Sequence, residues 1–282
     1  MTVLDHKIDF SVIFTVKNAN PNGDPLNGNR PRQNFDGYGE VSDVAIKRKI
    51  RNRAQDLLEN IFVQSNDNTT DGFKSLRERA NTNETLKEAE KAKDEVLFAK
   101  AACEAWYDVR AFGQVFAFKA EKKGAGVSVG IRGPVSIHPA ISIEPINIVS
   151  TQITKSTNSE PGEKKGSDTM GMKHRVESGV YRFSGSINTQ LAEKTGFTNE
   201  DAERLKEILQ TLFENDASSA RPEGSIEVRK VFWWEHASKL GNYSSAKVHR
   251  SLKIEPKSNI DEPFTYTIEE LDGLPVQVYE GI

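Results

Sequence analysis

Five of the seven residues from Lys47 to Arg53 are basic, and no acid stands among them. Like charges this close repel one another unless something anionic lies alongside, and phosphates are the anions such a surface suits. A loop of different chemistry precedes them, Asn18-Ala-Asn-Pro-Asn-Gly-Asp-Pro25. Its prolines exclude a helix, and Asn22-Gly23 is the expected turn because both residue types tolerate left-handed backbone angles. Such a turn leaves backbone amides and carboxamides to face a ligand. Lys47, Arg48, Arg51 and Asn52 on the basic run, with Asn20, Asn22 and Gly23 in the loop, are the candidate phosphate contacts.

Other chemistries find weaker footing. The five histidines, His6, His138, His174, His236 and His249, have no metal-ligand spacing. Asp24, Asp36 and Asp43 could gather two magnesium ions as a hydrolytic nuclease requires, but capping or turn formation explains each equally well. Gly126-Val-Ser-Val-Gly130 satisfies the G-x-S-x-G expression of serine hydrolases. That motif needs a strand, a sharp elbow and a helix, whereas Ser128 lies in alternating strand sequence. Gly162-Glu-Lys-Lys-Gly-Ser167 has the wrong glycine spacing for a phosphate-binding loop and reads as a flexible segment. The single cysteine, Cys103, excludes an internal disulfide framework and a multi-thiolate zinc site, and suits a reduced, cytoplasmic setting. No cofactor or metal is expected. Nothing approaches the ~20 apolar residues of a membrane span, so the three Asn-x-Ser/Thr sequons at Asn68, Asn83 and Asn242 are accidents of composition.

With 282 residues the chain is long enough for one large or two small domains and a sizeable core. The net charge of −3 means that the chain as a whole is not basic. Charge is instead sorted by region: from Glu255 onward there are seven acids and one lysine.

The elements that must position the candidate contacts are legible from periodicity. Ile8, Phe10, Val12, Phe14 and Val16 alternate with more polar residues, the pattern of a strand with one buried face. Phe10 and Phe14 share that face and belong to the core rather than to a base-stacking surface. Ser42 is placed to cap a helix whose buried stripe is Ile46, Ile50, Ala54, Leu57 and Ile61. Residues 64 to 85 are polar and read as a solvated insertion, Glu84 to Trp106 as one helix or two, and Asp108 as the cap of a short helix. Alternation from Val127 to Ile143 predicts a long strand bent at its prolines. From Thr151 to Arg175 the pattern vanishes, as in a projecting loop. It returns from Tyr181 to Leu191, and a helix capped by Thr198 follows, with Asp201 three residues on. Ile226 to Trp234 and Val248 to Ile254 predict strands, with Trp233 and Trp234 on opposite faces, one in the core and the other exposed. The order strand, helix, strand, strand, helix, strand is ferredoxin-like, an α+β arrangement with an antiparallel sheet shared by the RNA-recognition (RRM) fold.

The strand, the Asn-Pro-Asn-Gly-Asp-Pro loop, the Ser42-Asp-Val start and the Lys47-Arg-Lys-Ile-Arg-Asn52 helix together resemble the repeated backbone subunit of type I CRISPR surveillance complexes (Cascade), in its subtype I-C, Csd-type form. Asp108-Val-Arg-Ala-Phe-Gly113 and Gly130-Ile-Arg-Gly-Pro-Val135 extend the resemblance through most of the chain. It implies a single RRM-like palm over 1–282, a finger-like insertion at 64–95 and a thumb loop at 150–176 that reaches a neighbouring copy. It further implies a non-catalytic scaffold: copies associate head to tail along one crRNA guide, beside other Cascade subunits, and leave the bases to pair with target DNA. The thumb residues Met170, Met172, Lys173 and His174 would wedge between guide and target. The related type III subunits cut RNA, so a metal-dependent ribonuclease is the alternative, and a structural self-assembling protein a third reading.

Overall fold

The computed structural model describes residues 2–118, 127–154, 170–259 and 261–282. In chain order the first elements are β1 (Ile8–Ala19), β2 (Gly23–Asp24), β3 (Arg30–Pro31), β4 (Tyr38–Val41) and α1 (Asp43–Asp56). Next come α2 (Leu76–Ala80), α3 (Glu84–Ala92), α4 (Glu95–Ala105), α5 (Tyr107–Phe112), β5 (Gly113–Phe118) and β6 (Val127–Arg132). The sheet resumes with β7 (Val135–Ile137), β8 (Ala140–Pro145), β9 (Ile148–Thr154) and β10 (Met170–Ile187), followed by α6 (Thr189–Thr195) and α7 (Asn199–Gln210). The chain continues with β11 (Ile226–Glu235), α8 (Ser245–Ser251), β12 (Leu252–Pro256), β13 (Phe264–Ile268) and β14 (Val276–Glu280).

The main sheet runs β14-β11-β1-β10-β8-β4, with β7 and β9 also paired to β10. β1 lies antiparallel between β10 and β11, so the two strands that bracket α7 flank the first strand. Together with α1 between β1 and β7–β8, this is the ferredoxin-like α+β topology expected from the element order. α1, α6 and α7 cover one face, where Phe10, Val12, Phe14, Phe183, Val231 and Trp233 join Ile46, Ile50, Leu205 and Leu209 in the largest core. Phe10 stacks on Trp233 and Phe14 on Tyr181, which confirms the packing role of both phenylalanines.

The sheet's second face is covered as well. Ile13, Phe232 and Trp234 lie beneath α8, β12 and residues 271–276, in a separate core with Val248, Leu252, Leu271 and Leu274. Three sequence expectations are corrected here. β1 is buried on both faces, Asp9 and Ser11 included, and both Trp233 and Trp234 are buried, on opposite sides of the sheet. Val248 is helical, and the predicted strand begins only at Leu252.

Further differences come from tertiary pairing that periodicity cannot report. The alternation from Val127 to Ile143 divides into three strands, of which β6 pairs with β5 outside the main sheet. Thr189 and Leu191 belong to α6, begun by the Asn188 cap, rather than to a strand. Thr198 and Asp201 form the reciprocal capping box on α7. The polar stretch 64–85 is not merely solvated, since it carries α2, and Glu84 to Trp106 forms two helices, α3 and α4, as one of its two readings expected; with β5 and β6 they enclose a third core around Phe62, Phe98, Trp106 and Phe116. Residues 150–176 contain a β-ladder, since β9 pairs with the start of β10 from Thr154↔Met170 to Ile148↔Val176. The glycine- and lysine-rich segment at 162–167 lies outside the described residues. No helix among the described residues is long and apolar enough to cross a membrane.

Candidate nucleic-acid interface

α1 is launched by its expected cap, the Ser42 hydroxyl accepting from the Ala45 amide at 3.3 Å. The cap is itself held by the loop: Asn22 Oδ1 accepts from both the amide and the hydroxyl of Ser42, at 2.9 and 3.0 Å. Asn20 is only 3 % exposed, and its amide side chain donates to the Asn29 carbonyl at 2.7 Å. A Cβ on Gly23 would stand 1.9 Å from Asn29 Oδ1, so glycine is required there by the chain's own crossing. The turn expected at Asn22-Gly23 falls instead at Gly28 and Asn29, whose φ angles are positive, while Gly23 lies in β2. The carboxamides expected to face a ligand brace that turn and the start of α1.

The basic run on α1 meets carboxylates of the protein itself. Lys47 bonds Asp43 at 3.1 Å, Lys49 is buried against Asp216, and Arg53 bonds the Thr211 hydroxyl at 2.8 Å with Asp56 at 3.8 Å. Burial, only partly offset by Asp216, lowers the pKa of Lys49. Arg51 donates through Nε to Asp108 Oδ2 at 2.9 Å and lies over the Phe112 ring. Asp108, 1 % exposed, also accepts from the backbone amides of Phe62 and Val63 at 2.7 and 3.1 Å. It therefore ties α1 to the segment that enters the third core instead of capping α5, whose N-cap is Trp106. Arg48 donates to the Val63 carbonyl at 3.0 Å, and burial followed by the charge of Arg51 lowers its pKa. Asn52 Oδ1 is shielded from solvent and has no partner among the described residues. Arg48 thus meets a neutral carbonyl, whereas the charge of Lys47 faces Asp43 and that of Arg51 faces Asp108.

The loop after β1 meets the base of the β9–β10 ladder through Arg30. Arg30 donates through Nη1 to the Ser150 hydroxyl at 2.9 Å, and that hydroxyl also shares a hydrogen bond with His174 Nδ1 at 2.8 Å. The Arg32 side chain has, among the described residues, a long contact to Asp24 at 3.5 Å. The Nε groups of Arg32 and Arg175 are shielded from solvent and have no acceptor among the described residues, a situation that costs roughly 1–3 kcal/mol per donor. Further along the ladder Met170 and Met172 are 63 % and 54 % exposed. The structure therefore brings Met172, Lys173 and His174 onto one projecting strand, separate from α1.

The carboxylates singled out for metal are not brought together. Asp24 caps the 3₁₀ turn at residues 25–27 by accepting from the Leu26 amide, and Asp43 holds Lys47. Asp36 sits in the Asn34 turn, donating its amide to Asn34 Oδ1. No group of three potential metal ligands occurs among the described residues. Ser128 lies within β6, without the strand-to-helix elbow of a hydrolase. Burial pushes the Cys103 thiol up to about 11, so it is not a nucleophile at neutral pH. One buried cluster escaped sequence reading. Asp9 Oδ2 accepts from His236 Nε2 at 2.8 Å and contacts Lys7 Nζ at 3.1 Å, with His249 3.6 Å from Oδ1. Asp9 and His236 lie 227 positions apart in the chain, and no local signal joins them.

A ferredoxin-like palm with both sheet faces covered, a helical insertion and a projecting strand pair defines an elaborated RRM-like α+β protein. Residues 6–272 match the model of the family "CRISPR-associated protein Cas7", and the chain belongs to that family. A curated relative, CRISPR-associated protein Cas7 of Haloferax volcanii, is 27 % identical over 269 residues, covering 90 % of this chain and 76 % of the relative. Among solved structures, a chain of a "CRISPR RNA-guided surveillance complex, pre-nicking" aligns with TM-score 0.48 and 18 % identity over 81 % of this chain and 75 % of that one. A chain of another CRISPR RNA-guided surveillance complex aligns with TM-score 0.43 and 19 % identity over 81 % and 68 %.

Proposed function

We propose that this chain is the non-catalytic backbone subunit of a type I-C Cascade, which polymerises head to tail along a crRNA guide in the cytoplasm, beside other Cascade subunits, and presents the guide for pairing with target DNA. Family membership supports the CRISPR setting, and the observation that carries the binding mode is the β9–β10 ladder. It sets Met170 and Met172 in solvent on the same strand as Lys173 and His174. Apolar side chains so displayed can part stacked bases for a few kcal/mol per step, while the cations hold the backbone. The covered second face of the sheet supports a backbone-binding role too, since the surface on which an RRM stacks bases is occupied by α8 and β12. Lys47 and Arg48, with Asn20, Asn22, Gly23 and Asn52 shaping the adjoining surface, flank the guide's path, and Arg51 keeps α1 oriented through Asp108. On this reading 64–95 belongs to the finger and 150–176 to the thumb.

The test is to co-express the protein with its CRISPR array and partner subunits, digest with ribonuclease and sequence the protected RNA. Protected fragments drawn from the array, and intact after magnesium is added, are the expected result. Random cellular RNA would reduce the reading to generic binding, and magnesium-dependent cleavage would replace the scaffold with a nuclease.

A further inference from the structure

We propose that His236 and His249, on either side of Asp9, form a proton-sensitive latch that holds α8 and the segment leading into it against the second face of the sheet, and that acid releases this cover while the sheet beneath it stays folded. The proposal is independent of the guide-binding reading.

The latch is built from polar contacts between the sheet side and the backbone of the cover. Lys7 donates to the Tyr243 carbonyl at 2.8 Å, and Arg182, on β10, donates to the carbonyls of His249 and Leu252, the latter at 3.1 Å. His236 Nδ1 accepts from the Asn242 amide at 3.0 Å, and His249 Nε2 donates to the Gly185 carbonyl at 3.0 Å. Val248 is the apolar side chain that α8 buries, with Leu252 just beyond its end.

These contacts fix the protonation of both rings. A backbone amide can only donate, so His236 Nδ1 carries a lone pair, and the proton sits on Nε2, which donates to Asp9 Oδ2 at 2.8 Å. A second proton, on Nδ1, would set N–H against N–H at a side chain with no solvent exposure. Gly241, whose φ is +77°, brings the chain so close that a Cβ there would stand 2.8 Å from Nδ1. For His249, the Gly185 carbonyl can only accept, so Nε2 again holds the proton. An added proton would place a full charge beside Arg182 and beside His138, whose ring is centred 5.8 Å away.

The charged and titratable groups around the two rings are Asp9, Lys7, Arg182 and His138, and Asp9 already faces Lys7 at 3.1 Å. Burial lowers the pKa of His249, and the Asp9 charge offsets it only in part. For Asp9, burial is outweighed by hydrogen bonds from His236 and Ser245 and by the Lys7 charge, so its carboxyl is held below the usual range and stays ionised while the histidines titrate. A histidine whose folded-state pKa is depressed contributes stability that is complete above its ordinary value of about 6.5 and is lost as pH falls through the depressed value. The latch is therefore whole at neutral pH and fails in acid.

Hydrogen exchange of the full-length protein, read by mass spectrometry from about pH 7.5 to about pH 5 and corrected for the intrinsic exchange rate, tests the latch. Residues 242–252 should open progressively below about pH 6.5, by up to tenfold per pH unit for each proton taken up, while β1 keeps its protection. His249→Gln can still donate to the Gly185 carbonyl but cannot titrate, and should remove one proton from that dependence, a change of up to tenfold per pH unit. If this variant does not fold, the wild-type comparison of the cover with β1 still decides. Opening of residues 242–252 that does not vary with pH, loss of protection in β1 together with the cover, or the full wild-type pH dependence in folded His249→Gln overturns the proposal.

Discussion

α1 and the junction of β3 with the β9–β10 ladder carry similar numbers of basic side chains and use them oppositely. On α1 the cations face Asp43, Asp56, Asp108 and Asp216, drawn from the helix itself and from two distant segments. At the junction Arg30 and His174 share a serine hydroxyl, and the carboxylate nearest to Arg32 among the described residues is Asp24, at 3.5 Å. A run of cations in the sequence measures charge density, but only the fold decides whether that charge is free. Where carboxylates converge, arginine and lysine act as fasteners between elements. Where they are missing, the same side chains retain the capacity to bind an external anion.

The comparison predicts its largest effect at Asp108. Asp108→Ala removes the carboxylate from Arg51 and leaves two backbone amides without their acceptor, and should destabilise the protein by about 3–5 kcal/mol in urea unfolding. A loss below ~1 kcal/mol would mean that Arg51 is as free as the junction arginines. A smaller loss is expected for Gly23→Ala, whose Cβ would collide with Asn29, at roughly 1–3 kcal/mol. The smallest effect belongs to Lys47→Ala, since a partly exposed i,i+4 pair contributes about 0.3–0.5 kcal/mol. A Tm indistinguishable from that of the wild type, within the error of calorimetry, is the expected result.

Much of the palm is legible in the sequence alone. Alternation at Ile8–Val16 locates a strand, the Ser42 cap opens a helix that buries Ile46, Ile50 and Ala54 but ends at Asp56, before Leu57 and Ile61, and the Thr198–Asp201 box forms as its local rule states. Expectations fail where the deciding contact is remote. Asp9 and Ser11 look like the wet side of a strand until α8, near the far end of the chain, closes over them. The residues around Ser65–Asn83 look like loop because the core beneath them is supplied by α4, β5 and β6. For the candidate interface, residue types identify the neighbourhood but not the division of labour within it. Asn20, Asn22 and Gly23 have the composition of a binding turn, but the turn lies at Gly28 and Asn29, and the two carboxamides brace it and the Ser42 cap. Arg30 and His174 are unrelated positions in sequence, and only the pairing of β9 with β10 sets His174 opposite the Ser150 that Arg30 engages.

The chain's three tryptophans fall one to each core: Trp233 beneath α1 and α7, Trp234 beneath α8, and Trp106 in the helical insertion. Nature has in effect installed a separate optical probe in every layer. Fluorescence of the three single-tryptophan forms can therefore follow the main sheet, its C-terminal cover and the helical insertion independently, and reveal whether they melt as one cooperative unit or in sequence.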